Sequence, residues 1–140
     1  MAAKADLYKG RKPVNADGTS SAPVGVVKLL ERNQPVLEIA LVPGELYPEL
    51  SVGGIVKYAG ADFPDTQFEP AIKRDLMSAP YRMLFGLADD EIGYIIPKVE
   101  WDNQAPWLNG AARRWYGEVN SVGPEAAPII TGALKELLKP

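Results

Sequence analysis

Apolar and polar positions along this chain fall into blocks of contrasting period. Residues 24–30 (VGVVKLL) form a β-branched run suited to a strand. A second run follows at 36–42 (VLEIALV), where Glu38 is the only polar residue, so both faces of this strand are predicted to be mostly buried. Asn33-Gln34 before Pro35 is a turn signal, and the two runs read as a hairpin. Pro43-Gly44 ends the second strand, and a short helix is predicted over ELYPEL, starting at Glu45. Residues 60–65 (GADFPD) read as loop, and 70–77 (PAIKRDLM) as one or two helical turns or part of the same excursion. A third strand is predicted over 82–88 (RMLFGLA) and a short fourth over 93–96 (GYII). An irregular stretch with Trp101, Trp107 and Trp115 leads to a closing helix. Pro124 suits its first turn, with Pro128 as the alternative start, and Ile130, Ala133, Leu134, Leu137 and Leu138 recur as one apolar stripe.

This order predicts an α/β fold: a small single domain, a mixed sheet with flanking helices and a C-terminal amphipathic helix. The length of 140 residues suits one core. Gly, Pro, Asn, Asp and Ser concentrate before residue 24, so 1–23 reads as an arm or loop and 24–140 as the domain. No internal repeat or low-complexity tract divides it.

Charge and composition then narrow the chemistry. With 15 Lys+Arg against 18 Asp+Glu there is no polycationic surface, and nucleic acid is excluded as a partner. No run approaches the roughly 18 apolar residues of a transmembrane segment, and the N-terminus lacks the apolar core of a signal peptide. The sequence holds no cysteine and no histidine. Thiolate chemistry is therefore out, and so are the commonest general base and the commonest metal ligand. Hydrolysis would have to rest on carboxylates, Tyr, Lys, Ser/Thr or a metal held mainly by oxygen.

Three stretches are candidates for such chemistry. Glu45 follows a Pro-Gly corner at a strand end, where a side chain is either aimed at the sheet edge or satisfies the first N–H groups of a helix. Asp89-Asp90-Glu91 are contiguous, which suits a turn better than a cation loop with alternating ligands. Tyr94 follows Gly93 at the start of a strand and reads as a core phenol or a functional one. Trp101, Trp107, Trp115, Arg113 and Arg114 fit a cover over the open side of a small core.

Taken in order, VLEIALVPGELYPEL, LFGLADDEIGYIIP and YGEVNSVGP resemble the C-terminal part of the catalytic domain of the neutral/alkaline non-lysosomal ceramidase family. The resemblance spans roughly residues 24–138. It implies a zinc-dependent amidohydrolase acting on an amide bond, such as that of an N-acyl lipid, with an exported full-length parent. Zinc in that family is held by two His from an earlier part of the chain, by the Glu of the "PGE" corner and by the Tyr of the "GY" strand. Carried over, Glu45 and Tyr94 are the metal ligands, the acidic triplet is the turn that sets Tyr94, and 116–124 form a loop near the site. Both imidazoles are absent here. The resemblance therefore implies a portion of such an enzyme, inactive alone, whose partner is a missing N-terminal half or a second copy docked on exposed apolar surface. The alternative is a non-catalytic α/β module that binds a partner chain or small ligand through its Trp-rich surface.

Overall fold

The structure, a computed structural model, describes residues 19–139. The first eighteen residues of the expected arm lie outside that range. In chain order the principal elements are β1 (Gly25–Glu31), β2 (Gln34–Leu41), β3 (Glu45–Leu46), α1 (Pro48–Val52), β4 (Tyr81–Phe85), β5 (Tyr94–Ile95), α2 (Tyr116–Val119) and α3 (Ala126–Leu137). The α/β architecture is as the sequence predicts, with strands in two separate sheets.

β1 and β2 form the expected antiparallel hairpin. Its turn sits one residue earlier than predicted. Arg32 and Asn33 both take left-handed φ, 49° and 65°, the pattern of a type I′ turn matching strand twist. β4 adds to the other side of β2 in parallel, with Leu37 opposite Tyr81 and Leu41 opposite Phe85. The sheet order is β1-β2-β4, which makes it mixed. The predicted third strand stops at Phe85, because Leu87 and Asp89 turn to positive φ. Residues Ile72–Leu76 form one wide helical turn, closed by Met77 N–H donating to the Ile72 carbonyl at 3.2 Å.

Strand alternation decides which side of the sheet is core. Val26, Ala40 and Leu84 pack with Ala127, Ile130 and Leu134 of α3. Glu38 shares that face, only 1% exposed, and its Oε2 accepts from the Ser78 and Ala79 amides at 2.7 and 3.1 Å. Two backbone donors make this buried carboxylate tolerable. Lys28 donates to the carbonyls of Leu138 and Lys139, placing a cation at the C-terminal end of α3, where the helix dipole favours it.

The opposite face corrects the expectation for β2. Val27, Leu29, Tyr81, Met83 and Phe85 are exposed there, flanking half-buried Leu37, Ile39 and Leu41. The apolar run therefore has one face in the core and one apolar face open to solvent. In α3 the buried stripe is Ala126, Ala127, Ile130, Thr131, Leu134 and, just past the helix end, Leu138; Leu137, expected to be inside, is exposed. Pro128 falls in the first helical turn, where its missing N–H is not needed, and Pro124 precedes the helix.

Candidate functional site

The Pro43-Gly44 corner does not open a helix. Glu45 lies in β3, which pairs in parallel with β5 so that Glu45 stands opposite Tyr94 and Leu46 opposite Ile95. Glu45 N–H donates to Gly93 O and Tyr47 N–H to Ile95 O, each at 3.0 Å. The helix begins only at Pro48, which cannot donate to a ladder and suits a first helical position. The predicted helix start at Glu45 is thus replaced by a strand pair, with the helix three residues later.

Two glycines let these backbones meet. A Cβ on Gly44 would lie 2.4 Å from Gly93 O, and one on Gly93 would lie 1.8 Å from Asn120 O. Gly93 also has a φ of 85°, which L side chains rarely adopt. Its neighbour Tyr94 donates its backbone N–H to Asn120 O at 2.9 Å, and Gly93 bridges Ser121. The corner 43–45, the strand 93–95 and the segment 116–121 therefore converge. The last was expected to be loop and begins as the single helical turn α2. The acidic triplet is a turn, as expected: Asp89 has a φ of 64°, Asp90 Oδ1 accepts from Glu91 N–H, and Glu91 Oε1 accepts from Gly93 N–H.

Glu45 is exposed and Tyr94 half-buried. A hydrogen bond to Glu45 holds the Tyr94 phenol above its ordinary pKa, with burial and the Glu45 charge adding to the effect. Tyr47 and Tyr116 flank Tyr94 edge-on, at ring-centroid distances of 6.1 and 5.7 Å. These three rings and Trp115 wall a cleft of about 380 Å³.

Three carboxylates that the sequence did not single out, Glu100, Asp102 and Glu118, also line this cleft. Glu100 Oε1 accepts from Val56 N–H at 2.7 Å, while Asp102 and Glu118 are only 1% and 4% exposed. Asp102 Oδ2 accepts from Trp115 Nε1 at 2.6 Å and from Leu108 N–H at 2.8 Å, while Oδ1 has no partner among the described residues. Glu118 Oε1 accepts from Asp102 N–H at 3.3 Å, and Oε2 likewise has none among them. Burial pushes the Glu118 carboxyl above the usual range, against its backbone hydrogen bonds, and the Asp102 charge pushes the same way. Tyr47 is pushed up to about 12, by burial first and then by the negative charge of Glu118. The only signal for Glu118 was its place inside YGEVNSVGP; nothing marked Asp102.

The donor set can be compared with what zinc requires. Catalytic zinc takes three protein ligands and structural zinc four. Glu45 and Tyr94 offer two oxygens, the chain has no His, and among the described residues no group of three or more Asp or Glu is placed to hold a metal. By themselves these residues do not fit a zinc centre. Among the described residues no helix is long and apolar enough to cross a membrane. No protein-family model, curated protein or solved structure matches the chain.

Proposed function

We propose that this domain carries the oxygen-donor half of a ceramidase-like amidohydrolase site, Glu45 and Tyr94, and that nitrogen ligands from a partner segment or chain complete it. The observation that carries the reading is the register of β3 and β5, which sets the Glu45 carboxylate directly opposite the Tyr94 phenol. The Tyr94 phenol is hydrogen-bonded to Glu45, and a metal held by both residues would displace that proton. The open apolar face of the three-stranded sheet supports the reading a second time. Exposed Tyr81, Met83 and Phe85 on one strand are unusual for a finished monomer and suit a surface that another layer covers. The ceramidase-like resemblance supplies the substrate class of this proposal, an N-acyl amide, and on the half-site reading the domain alone is inactive.

Zinc competition against a chromophoric chelator tests this. The purified chain should hold zinc weakly, and Glu45→Gln and Tyr94→Phe should each weaken it further. Stoichiometric, tight retention of zinc by the chain alone would sink the half-site reading. A second reading, a binding module without catalysis, is favoured by one observation: the cleft beside the pair is lined by Asp102 and Glu118, buried carboxylates that each keep one oxygen without a partner among the described residues.

A further inference from the structure

Asp102 and Glu118 pose a physical problem that the fold does not solve. A buried carboxylate oxygen with no donor is destabilising, and more so when charged. Here two neighbouring carboxylates each leave one oxygen without a partner among the described residues. Arg114, the cation beside them, directs its Nη2 to the Glu118 backbone carbonyl at 3.1 Å, which leaves both orphan oxygens unsatisfied. Both residues border a cleft whose walls are the rings of Tyr47, Tyr94, Trp115 and Tyr116.

Two cation classes can be weighed against that arrangement. A hard divalent ion needs about six to eight oxygens, or for Mg²⁺ a near-ideal octahedron, and among the described residues Glu100, Asp102 and Glu118 are not grouped so as to hold a metal. An organic cation with several N–H donors fits better, because it satisfies both oxygens while its body lies against the rings. Among these, a guanidinium group is planar, weakly hydrated and able to stack on aromatic faces while donating to two acceptors at once. Its fork can donate to two carboxylates at once, and Asp102 and Glu118 both line the cleft.

We infer that the cleft between β5 and α2 is a guanidinium-binding site, with Asp102 and Glu118 as acceptors and Tyr116 and Trp115 as stacking walls. The inference does not depend on the amidohydrolase reading, since it uses neither Glu45 nor a metal. The guanidinium can come from a free small molecule or from an arginine side chain on a peptide.

The test follows the Trp115 indole N–H by nuclear magnetic resonance, because that proton is donated to Asp102. Methylguanidinium, added well below denaturing concentrations, should shift this signal saturably. Methylurea, its neutral isostere, should leave it in place. Glu118→Gln should weaken methylguanidinium binding about tenfold, as expected for loss of one charge-assisted contact, with an unchanged circular dichroism spectrum. Tyr116→Ala, at a wall residue 72% exposed and safe for folding, should weaken it as well. A blocked Gly-Arg-Gly peptide that binds more tightly than methylguanidinium supports an arginine side chain as the occupant, and equal binding supports a small ligand. Equal shifts with methylurea, or binding unaffected by both substitutions, would overturn the inference, and the isostere comparison decides it even if Glu118→Gln fails to fold.

Discussion

The β1-β2-β4 sheet and the β3–β5 ladder are joined through the same chain corner yet are built by opposite means. The sheet is held by side chains: branched apolar residues alternate across three strands, and one face packs on α3. The ladder is held by backbone: two residues per strand, with Gly44 and Gly93 allowing carbonyls to approach where a methyl group would collide. The difference teaches where each can vary. Side-chain packing tolerates volume-conserving exchange, whereas a backbone-to-backbone contact allows no atom to be added. Glu45 and Tyr94 sit on the glycine-dependent side.

The largest effect that separates the two regions should come from Gly93→Ala. A left-handed backbone costs an L residue about 1–2 kcal/mol and an overpacked contact about 1–3 more. The sum, about 2–5 kcal/mol, should appear as a large drop in urea midpoint or failure to fold. A fall of under about 1 kcal/mol would mean that the approach to Asn120 is not as tight as 1.8 Å implies.

Next comes the open face of the sheet. Phe85 is 45% exposed beside Met83 and Tyr81. The unpartnered chain should self-associate through this face as its concentration rises, and Phe85→Lys should raise the dissociation constant at least about tenfold in sedimentation equilibrium while changing monomer stability little. A wild-type chain that stays monomeric at high concentration would remove the argument for a covering layer.

A smaller effect follows from Tyr47 on the ladder side. Its folded pKa of about 12 lies above the ordinary 10, so the unfolded chain releases the proton first as pH rises. The stability linked to this group is complete below pH 10 and is lost between about 10 and 12. Tyr47→Phe should flatten that alkaline decline in thermal melts. An unchanged slope would place the phenol in a wetter setting.

The smallest effect is the control for the first. A Cβ on Gly25, in β1, would meet the Leu41 side chain, nearest at its flexible end, Cδ1, at 3.3 Å. Gly25→Ala should change stability by no more than about 0.5 kcal/mol. A loss as large as that from Gly93→Ala would erase the contrast between side-chain and backbone construction.

The same contrast explains what could be read in the sequence. VGVVKLL and VLEIALV announced the hairpin because packing of β-branched residues is written in residue type. The apolar stripe of the closing helix was legible for the same reason, apart from Leu137, which the helix turns outward. The ladder was not legible. Nothing in ELYPEL distinguishes a two-residue strand from a helix start, because the partner carbonyls belong to Gly93 and Ile95, distant in sequence. Asp102 and Glu118 escaped notice because their donors are backbone amides and one indole brought in by the fold. Solvent on the outer face of β2 was equally hidden, since an apolar run reads alike whether or not a second layer covers it.

The pairing of Glu45 with Tyr94 as two halves of one cation site is tested most directly by ultraviolet difference absorption during zinc titration of the purified chain. A phenol drawn into ligation gives up its proton, so the account predicts a weak, saturable tyrosinate signal equal to one tyrosine, absent in Tyr94→Phe and strongly reduced in Glu45→Gln. A titration with no tyrosinate signal at any zinc concentration, or the same signal in Tyr94→Phe, would contradict it.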